Sequence, residues 1–336
     1  MNSIQLQIKI YMRKIAFLFL IFSLVSCKQE PKNIKLSGPV FGTAYNIQYH
    51  SQDNADYQMQ FDSLFNVVNE SMSTYIPSSK ISRINKGEDI MVDEHFKRVF
   101  NKAKLIYRTT EGAFDPTIGA VVNAWDFGPE GKITNIDSTA IDSLMKWVGL
   151  NRMGLKDGKI IKNKGSFLDL NAIAKGYGVD VIAEFLEAKN INDYLVDIGG
   201  EIRVKGINVE KNTSWTVGID DPNFDGEQTY SKVVHLNDES MATSGTYRKF
   251  KVDENGNRYA HIINTKTGYP SKTNILSVSV IAKDCMTADG YATAFQAMGI
   301  EKMSAFLESH PELKVYIIFE NESKALETMS FNGFPE

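Results

Sequence analysis

An apolar run carrying one acid, Leu168-Asp169-Leu170, passes directly into Asn171-Ala172-Ile173-Ala174-Lys175-Gly176-Tyr177, the small-residue start of a helix that bears a lysine. A carboxylate and an ammonium are thereby set beside backbone slim enough for close approach, which suits an anionic ligand or a metal bound together with one. Three further segments carry polar groups that packing alone would not choose. Ala113-Phe114-Asp115-Pro116 pairs an aromatic face with a carboxylate in a stretch that the proline makes rigid. The segment from Tyr259 through His261, Ile263 and Thr265 to Gly268 sets a histidine on a strand leading into a turn. In Thr287-Ala288-Asp289-Gly290-Tyr291-Ala292-Thr293, Asp289 and Thr293 lie four residues apart and so share one helical face. Carboxylate, hydroxyl and carbonyl oxygens suit a hard cation such as Mg²⁺, which takes about six oxygens and shares its shell with substrate phosphates. No thiolate or imidazole cluster serves a softer metal.

Each of these residues has a plainer use as well. Asp289 could cap the helix that begins near it, Lys175 could be a solvated helix charge, His261 a satisfied structural histidine and Phe114 a core ring. Familiar alternatives lack support. The chain has no GxxxxGK[ST], no GxGxxG after a strand, and no HExxH, CxxC or GxSxG, so P-loop or Rossmann nucleotide binding and the common hydrolase and zinc chemistries are not indicated.

The elements that would position these groups follow from periodicity. Alternation over residues 40–49 predicts a strand, helical spacing over 56–72 predicts a helix, and Asp93 caps another that runs to about Tyr107. Residues 112–119 read as a loop through Pro116, with a short helix at 138–148. A strand is expected at 167–170 and a helix at 172–188. Residues 194–204 form two strand halves that meet at Gly199-Gly200. Further strands are expected at 215–219, 258–263, 275–281 and 314–319, with helices at 287–298 and 301–307. Strands outnumber helices and several are adjacent, which predicts an α+β fold of layered mixed or antiparallel sheets with flanking helices, not a βαβ array. No internal repeat or low-complexity tract is present.

With 336 residues and 43% hydrophobic side chains the chain can bury a substantial core. The formal charge is -4; the first 26 residues hold three basic and no acidic side chains, which leaves -7 for the rest and argues against nucleic acid as a partner. Residues 1–26 read as an export signal: Arg13 and Lys14, the apolar run 15–25, then Ser26 before Cys27. The apolar run is too short to remain as a membrane span. Leu24-Val25-Ser26-Cys27 resembles a bacterial lipobox, which implies lipidation at Cys27, a lipid-anchored tether at 27–38, and an exported protein on a bacterial membrane facing the periplasm. An ordinary cleaved signal with a chance cysteine is the alternative, and Met12 is a second possible start. Cys285 is then alone and reads as a small core residue.

In order and spacing the chain resembles the ApbE family, the FAD:protein FMN transferases, from about Gly38 to about Leu307. The resembling segments are Phe41-Gly42-Thr43, residues 72–85, 112–119, 168–180 and 196–201, Ala242-Thr243-Ser244-Gly245, residues 261–268 and 288–293. The resemblance implies a two-lobed single catalytic domain over 39–330 and a Mg²⁺-dependent enzyme. Its reaction would move the FMN half of FAD onto a Ser or Thr hydroxyl of an exported acceptor, such as a flavin-carrying subunit of a membrane redox complex, with release of AMP. By position, Ala172 through its carbonyl, Asp289 and Thr293 are the implied metal ligands; Phe41, Tyr75, Ala113, Phe114, Asp115, Asp169, Lys175 and Ile263 match FAD-contacting positions. Two departures stand out: Phe41 occupies a position where Met is common, and Ala292 stands where some members carry another Asp. His261 and Asp289 are the possible bases for the acceptor hydroxyl, His261 being preferred because a metal-bound carboxylate is a poor base. Lys175 would neutralise phosphate charge, and Tyr75 and Phe114 would stack on a ring. FAD pyrophosphatase activity and non-catalytic FAD storage are the competing readings.

Overall fold

Apolar residues at every second position of Tyr45-Ile47-Tyr49, Val196-Ile198 and Val278-Val280 are fully buried, and the strands that carry them make the backbone of the molecule. The computed structural model describes residues 31–129, 136–222, 229–246, 250–252, 258–271 and 273–335. The signal and Cys27 lie outside the described residues.

In chain order the strands are β1 (Lys32–Val40), β2 (Thr43–Ser51), β3 (Gly154–Lys156), β4 (Lys159–Ile161), β5 (Tyr194–Ile198), β6 (Glu201–Lys205) and β7 (Trp215–Asp220). They continue with β8 (Tyr230–Leu236), β9 (Ser240–Gly245), β10 (Phe250–Val252), β11 (Arg258–Ala260), β12 (Ile275–Ala282), β13 (Lys314–Glu320) and β14 (Leu326–Phe331). The helices are α1 (Gln58–Met72), α2 (Lys80–Asn85), α3 (Glu94–Thr109), α4 (Gly119–Ala124), α5 (Ser138–Met145), α6 (Asn171–Ala188), α7 (Cys285–Met298) and α8 (Ile300–Leu307). Eight strands form one sheet in the order β1-β2-β5-β6-β9-β12-β13-β14, every neighbouring pair antiparallel. Three two-stranded ribbons, β3–β4, β7–β8 and β10–β11, complete the strands. The α+β expectation of antiparallel layers with flanking helices thus holds.

The strand period of two divides the core. Val196, Val280, Val315 and Ile317 face the helices, whereas Leu195, Ile281, Tyr316 and Ile318 join a separate cluster with Trp215, Val217 and Val234 of the β7–β8 ribbon. On the helix side α6 packs on β5 and β6, α7 packs on β9 and β12, and α1 and α3 cover them from outside.

Capping is local and legible. Asp93 accepts from Phe96 N at 2.8 Å and opens α3 as expected, and Asp284 accepts from Thr287 N at 2.8 Å and opens α7. The α7 start has a second anchor: Asp180 of α6 accepts from Cys285 N at 2.9 Å and Met286 N at 2.8 Å, and also from Arg203 Nη1 at 2.8 Å. Asp289 is therefore not the cap; it sits in the second turn of a helix that begins earlier than its periodicity indicated.

Other elements depart from expectation for identifiable reasons. Residues 40–49 are not one strand: Phe41 and Gly42, both with positive φ, turn the chain from β1 into β2. Residues 32–38, expected as part of the tether at 27–38, are most of β1, where Ile34 and Leu36 pack against the core. Its lysines and Pro39 hid that alternation, and an edge strand tolerates both. The strand expected at 258–263 ends at Ala260. The segment 167–170 is irregular and pairs with no strand. Instead the Asn85 side chain takes the place of a neighbour, donating from Nδ2 to Leu168 O and accepting from Leu168 N, both at 2.8 Å.

That substitute pairing generates a prediction. Leu168 is fully buried, so Asn85→Ala strands one backbone donor and one acceptor, at a cost of about 2–4 kcal/mol. Urea unfolding should show the drop as a lower midpoint at unchanged slope.

Candidate active site

Two hairpin turns, Phe41-Gly42 and Gly199-Gly200, lie side by side because β2 and β5 are neighbours in the sheet. A Cβ on Gly199 would meet the Thr43 side chain at 2.7 Å, so only glycine lets the turns approach this closely. Beside them opens a cleft of about 910 Å³, large enough for a dinucleotide-sized ligand. All twelve residues singled out from the sequence line it: Phe41, Tyr75, Ala113, Phe114, Asp115, Asp169, Ala172, Lys175, His261, Ile263, Asp289 and Thr293.

The helix pair forms its floor. Gly176 of α6 faces α7, and a Cβ there would sit 2.4 Å from Cys285 O and 2.7 Å from Asp289 Cβ. The close approach lets Gly176 N donate to Asp289 Oδ2 at 2.9 Å. In a regular helix that N–H points at the carbonyl of residue 172, so the carboxylate of one proposed ligand engages the amide that would otherwise claim the carbonyl of another. Asp289 and Thr293, one turn apart on α7, reach the cleft beside Ala172 at the start of α6.

Charge is concentrated here. Lys175 Nζ bonds Glu201 Oε2 at 2.6 Å; Glu201 is 2% exposed, whereas the lysine side chain keeps 36% of its surface open. Burial and the nearby Glu201 charge push Asp289 up to about 8, with Lys175 and the Gly176 amide acting the other way. Burial also raises Glu201 against the pull of Lys175. Burial alone would depress Lys175, but Glu201 and Asp289 more than offset it and raise it. Two carboxyls and one ammonium leave a negative excess in a low-dielectric place, the setting in which a divalent cation displaces a proton.

The walls differ from simple expectation. Asp115 Oδ1 accepts from Thr117 N at 2.9 Å and Thr117 Oγ1 at 2.6 Å, and Asp169 Oδ1 accepts from Asn171 N at 2.8 Å, so each holds its own turn while lining the cleft. Asp169 N donates to Pro116 O at 2.8 Å, and a Cβ on Gly119 would meet Asp169 Cβ at 2.7 Å, which locks the loop 112–119 against the segment 167–170. Phe114 is 2% exposed and packs in the main core, so it is a core ring at the cleft wall and not the free stacking face expected of it. Tyr75, 59% exposed, is the open ring, its hydroxyl raised by burial and the Asp169 charge. The Phe41 ring packs over Gly178 and edge-on to Phe65 at 5.6 Å. His261 follows β11 in a bend, its ring tilted 6.2 Å from Phe127; its loop is tied to the opposite wall by Thr265 Oγ1 on Gly112 O and by Lys266 Nζ on Glu111 O at 2.8 Å.

Sequence reasoning passed over Glu201 as a site residue. The available signal was an acid directly after a Gly-Gly turn between two apolar strands, a buried position that such a side chain enters only with a partner.

Comparison with known proteins places nearly the whole chain beside one family. A sequence model of the ApbE family matches residues 41–317. The FAD:protein FMN transferase of Haemophilus influenzae is 36% identical over 316 residues, 90% of each chain, and that of Vibrio cholerae is 35% identical over 322 residues, covering 93% of this chain and 95% of its own. The solved flavin transferase ApbE from Vibrio cholerae superposes with a TM-score of 0.81 at 34% identity, over 91% of this chain and 99% of its own.

Two outcomes test the floor. Gly176→Ala forces α6 and α7 apart and should cost about 1–3 kcal/mol, read as a lower unfolding midpoint. In chelator, a folded Asp289 at about 8 holds a proton that an unfolded one at 3.8 has lost, so its contribution to stability falls as pH rises through that window. Melting temperature should decline across that range, and Asp289→Asn should lessen the slope; Glu201 and Asp197, raised as well, keep part of it.

Proposed function

The chain belongs to the ApbE family, and from that premise we propose that its cleft binds FAD and transfers the FMN half, through its phosphate, to a Ser or Thr hydroxyl of an acceptor protein, releasing AMP. The observation that carries this reading is the meeting of an oxygen-only donor set, a lysine and an open aromatic ring in one dinucleotide-sized cleft. The relatives named FAD:protein FMN transferase match along nearly the whole chain, so the reaction class is that of a transferase with FAD as substrate.

A magnesium ion fits the residues present. Among the described residues no three His, Cys, Asp or Glu side chains cluster into a protein-only cage, and the available donors are the Asp289 carboxylate, the Thr293 hydroxyl and the Ala172 carbonyl. Such a short hard-oxygen set suits a cation that completes its shell with substrate phosphate and water. When bound, the ion supplies charge stabilisation at the diphosphate. The chain's own groups do the rest by alignment, as phosphoryl-type transfer requires. Lys175 presents an ammonium to the anionic bridge, Tyr75 offers a ring face at the mouth, and the tied loops 110–119 and 261–269 hold the ligand between them. His261, which also lines the cleft, is the base assigned to the acceptor hydroxyl proton. Export and lipid attachment at Cys27 belong to the same reading, because flavin attachment outside the cytoplasm needs the enzyme there; their support is the signal-like segment and Leu24-Val25-Ser26-Cys27. The acceptor is then an exported electron-transfer protein, for example a subunit of a membrane redox complex.

The test is incubation with FAD, Mg²⁺ and a co-expressed acceptor, followed by intact-protein mass spectrometry for a gain equal to esterified FMN. Asp289→Ala should abolish the gain while melting stays cooperative, since it deletes a buried acid; labelling at the wild-type rate refutes the ligand assignment. His261→Ala should lower kcat by about 10²–10⁴ with little change in KM for FAD. AMP formed without acceptor at the transfer rate would instead mark a hydrolase.

A further inference from the structure

Glu201 is anchored more firmly than a partner for a surface lysine needs to be. It opens β6 immediately after the Gly199-Gly200 turn, and that turn is fixed from both sides: Gly200 N donates to Asp197 Oδ1 at 2.9 Å and Gly199 N to Ala44 O at 3.0 Å. The carboxylate is thus set by the sheet, not by a flexible loop. Its bonded partner is Lys175, three residues beyond Ala172 on α6 and with a third of its side chain open to the cleft. A lysine has a long, rotamer-rich stem, and holding its ammonium at one point costs side-chain entropy unless something already fixes it. The bond at 2.6 Å does so before any ligand arrives.

We propose that Glu201 is a positioning residue for the transfer, acting through Lys175: the carboxylate holds the ammonium at the cleft floor beside Asp289, aimed at the place where the diphosphate of the substrate must lie. The inference rests on the reading of the cleft as an FAD site. A tethered ammonium is worth most where charge develops during reaction, because a preorganised donor needs no reorganisation at that moment. The same tether works against ground-state binding, since Glu201 adds a negative charge next to an anionic ligand and shares the lysine with it. A positioning role therefore carries a signature that general loosening of the fold cannot mimic: removing the carboxylate slows turnover without weakening binding.

The test is a double-mutant cycle of Glu201→Gln and Lys175→Met on the full chain, with transfer kinetics, FAD affinity in chelator by flavin fluorescence, and melting temperature for each variant. Gln is nearly isosteric, and the lysine it leaves is partly solvated, so folding is expected to survive. Expected are a fall in kcat of about tenfold or more in Glu201→Gln, metal-free FAD affinity unchanged or tighter, and a Glu201 effect that shrinks to within about twofold when Lys175 is already Met. An equal loss in both lysine backgrounds, an unchanged kcat, or FAD affinity that falls in step with melting temperature overturns the proposal. A wild type that transfers no FMN removes the FAD reading and the inference together. A wild type that transfers normally while the cycle shows no coupling removes the inference alone.

Discussion

The approach of α6 to α7 at Gly176 is the constraint on which the site depends. With any larger residue there the helices separate, Asp289 loses the Gly176 amide, and Ala172 and Thr293 no longer share one patch of cleft. The sheet enforces the approach from below, since α6 lies on β5 and β6 while α7 lies on β9 and β12, with β6 and β9 paired. Asp180 enforces it from the end by tying the α7 first-turn amides to α6 and to Arg203 of β6. Two restraints, the sheet and Asp180, thus hold one interhelical contact whose purpose is polar, although most of its surroundings are aliphatic.

Packing this tight concentrates charge. Burial first and the Glu201 charge second raise Asp289, burial and more weakly Asp197 raise Glu201, and Lys175 neutralises only one equivalent. Removing an acid here would favour the empty fold, and the arrangement of donors fits an occupied floor better than an empty one. Stability and function pull apart at this point, as they do wherever a site is organised for an occupant.

Much of this was legible in the sequence, and the failures have a common physical origin. Local signals served well: Asp93 before an amphipathic run, the Gly199-Gly200 turn between apolar halves, and the i, i+4 spacing of Asp289 and Thr293 all depend on nearest neighbours along the chain. Periodicity erred where a distant partner decides the outcome. Leu168 is held by a side-chain amide 83 positions earlier in place of a neighbouring strand, so the expected strand is absent. Asp284 rather than a later residue starts α7, because Asp180 satisfies the amides of the additional turn. The strand at 32–40 was obscured by lysines and a proline that edge position permits. Glu201 was missed because its meaning resides entirely in Lys175, 26 positions away.

The carboxylates of the cleft then divide by duty. Asp115 and Asp169 each spend an oxygen on a local turn, which fixes the two walls against each other through the Asp169 amide on Pro116 O and the Gly119 contact. Asp289 and Glu201 hold the floor. Among the described residues each of these four acids keeps one oxygen on an amide, a hydroxyl or an ammonium, while Asp289 and Glu201 together still exceed the single charge of Lys175. For an anionic dinucleotide such a cleft lowers repulsion in part by committing acids to donors before the ligand arrives, and the excess that remains at the floor is the charge a bound cation would offset.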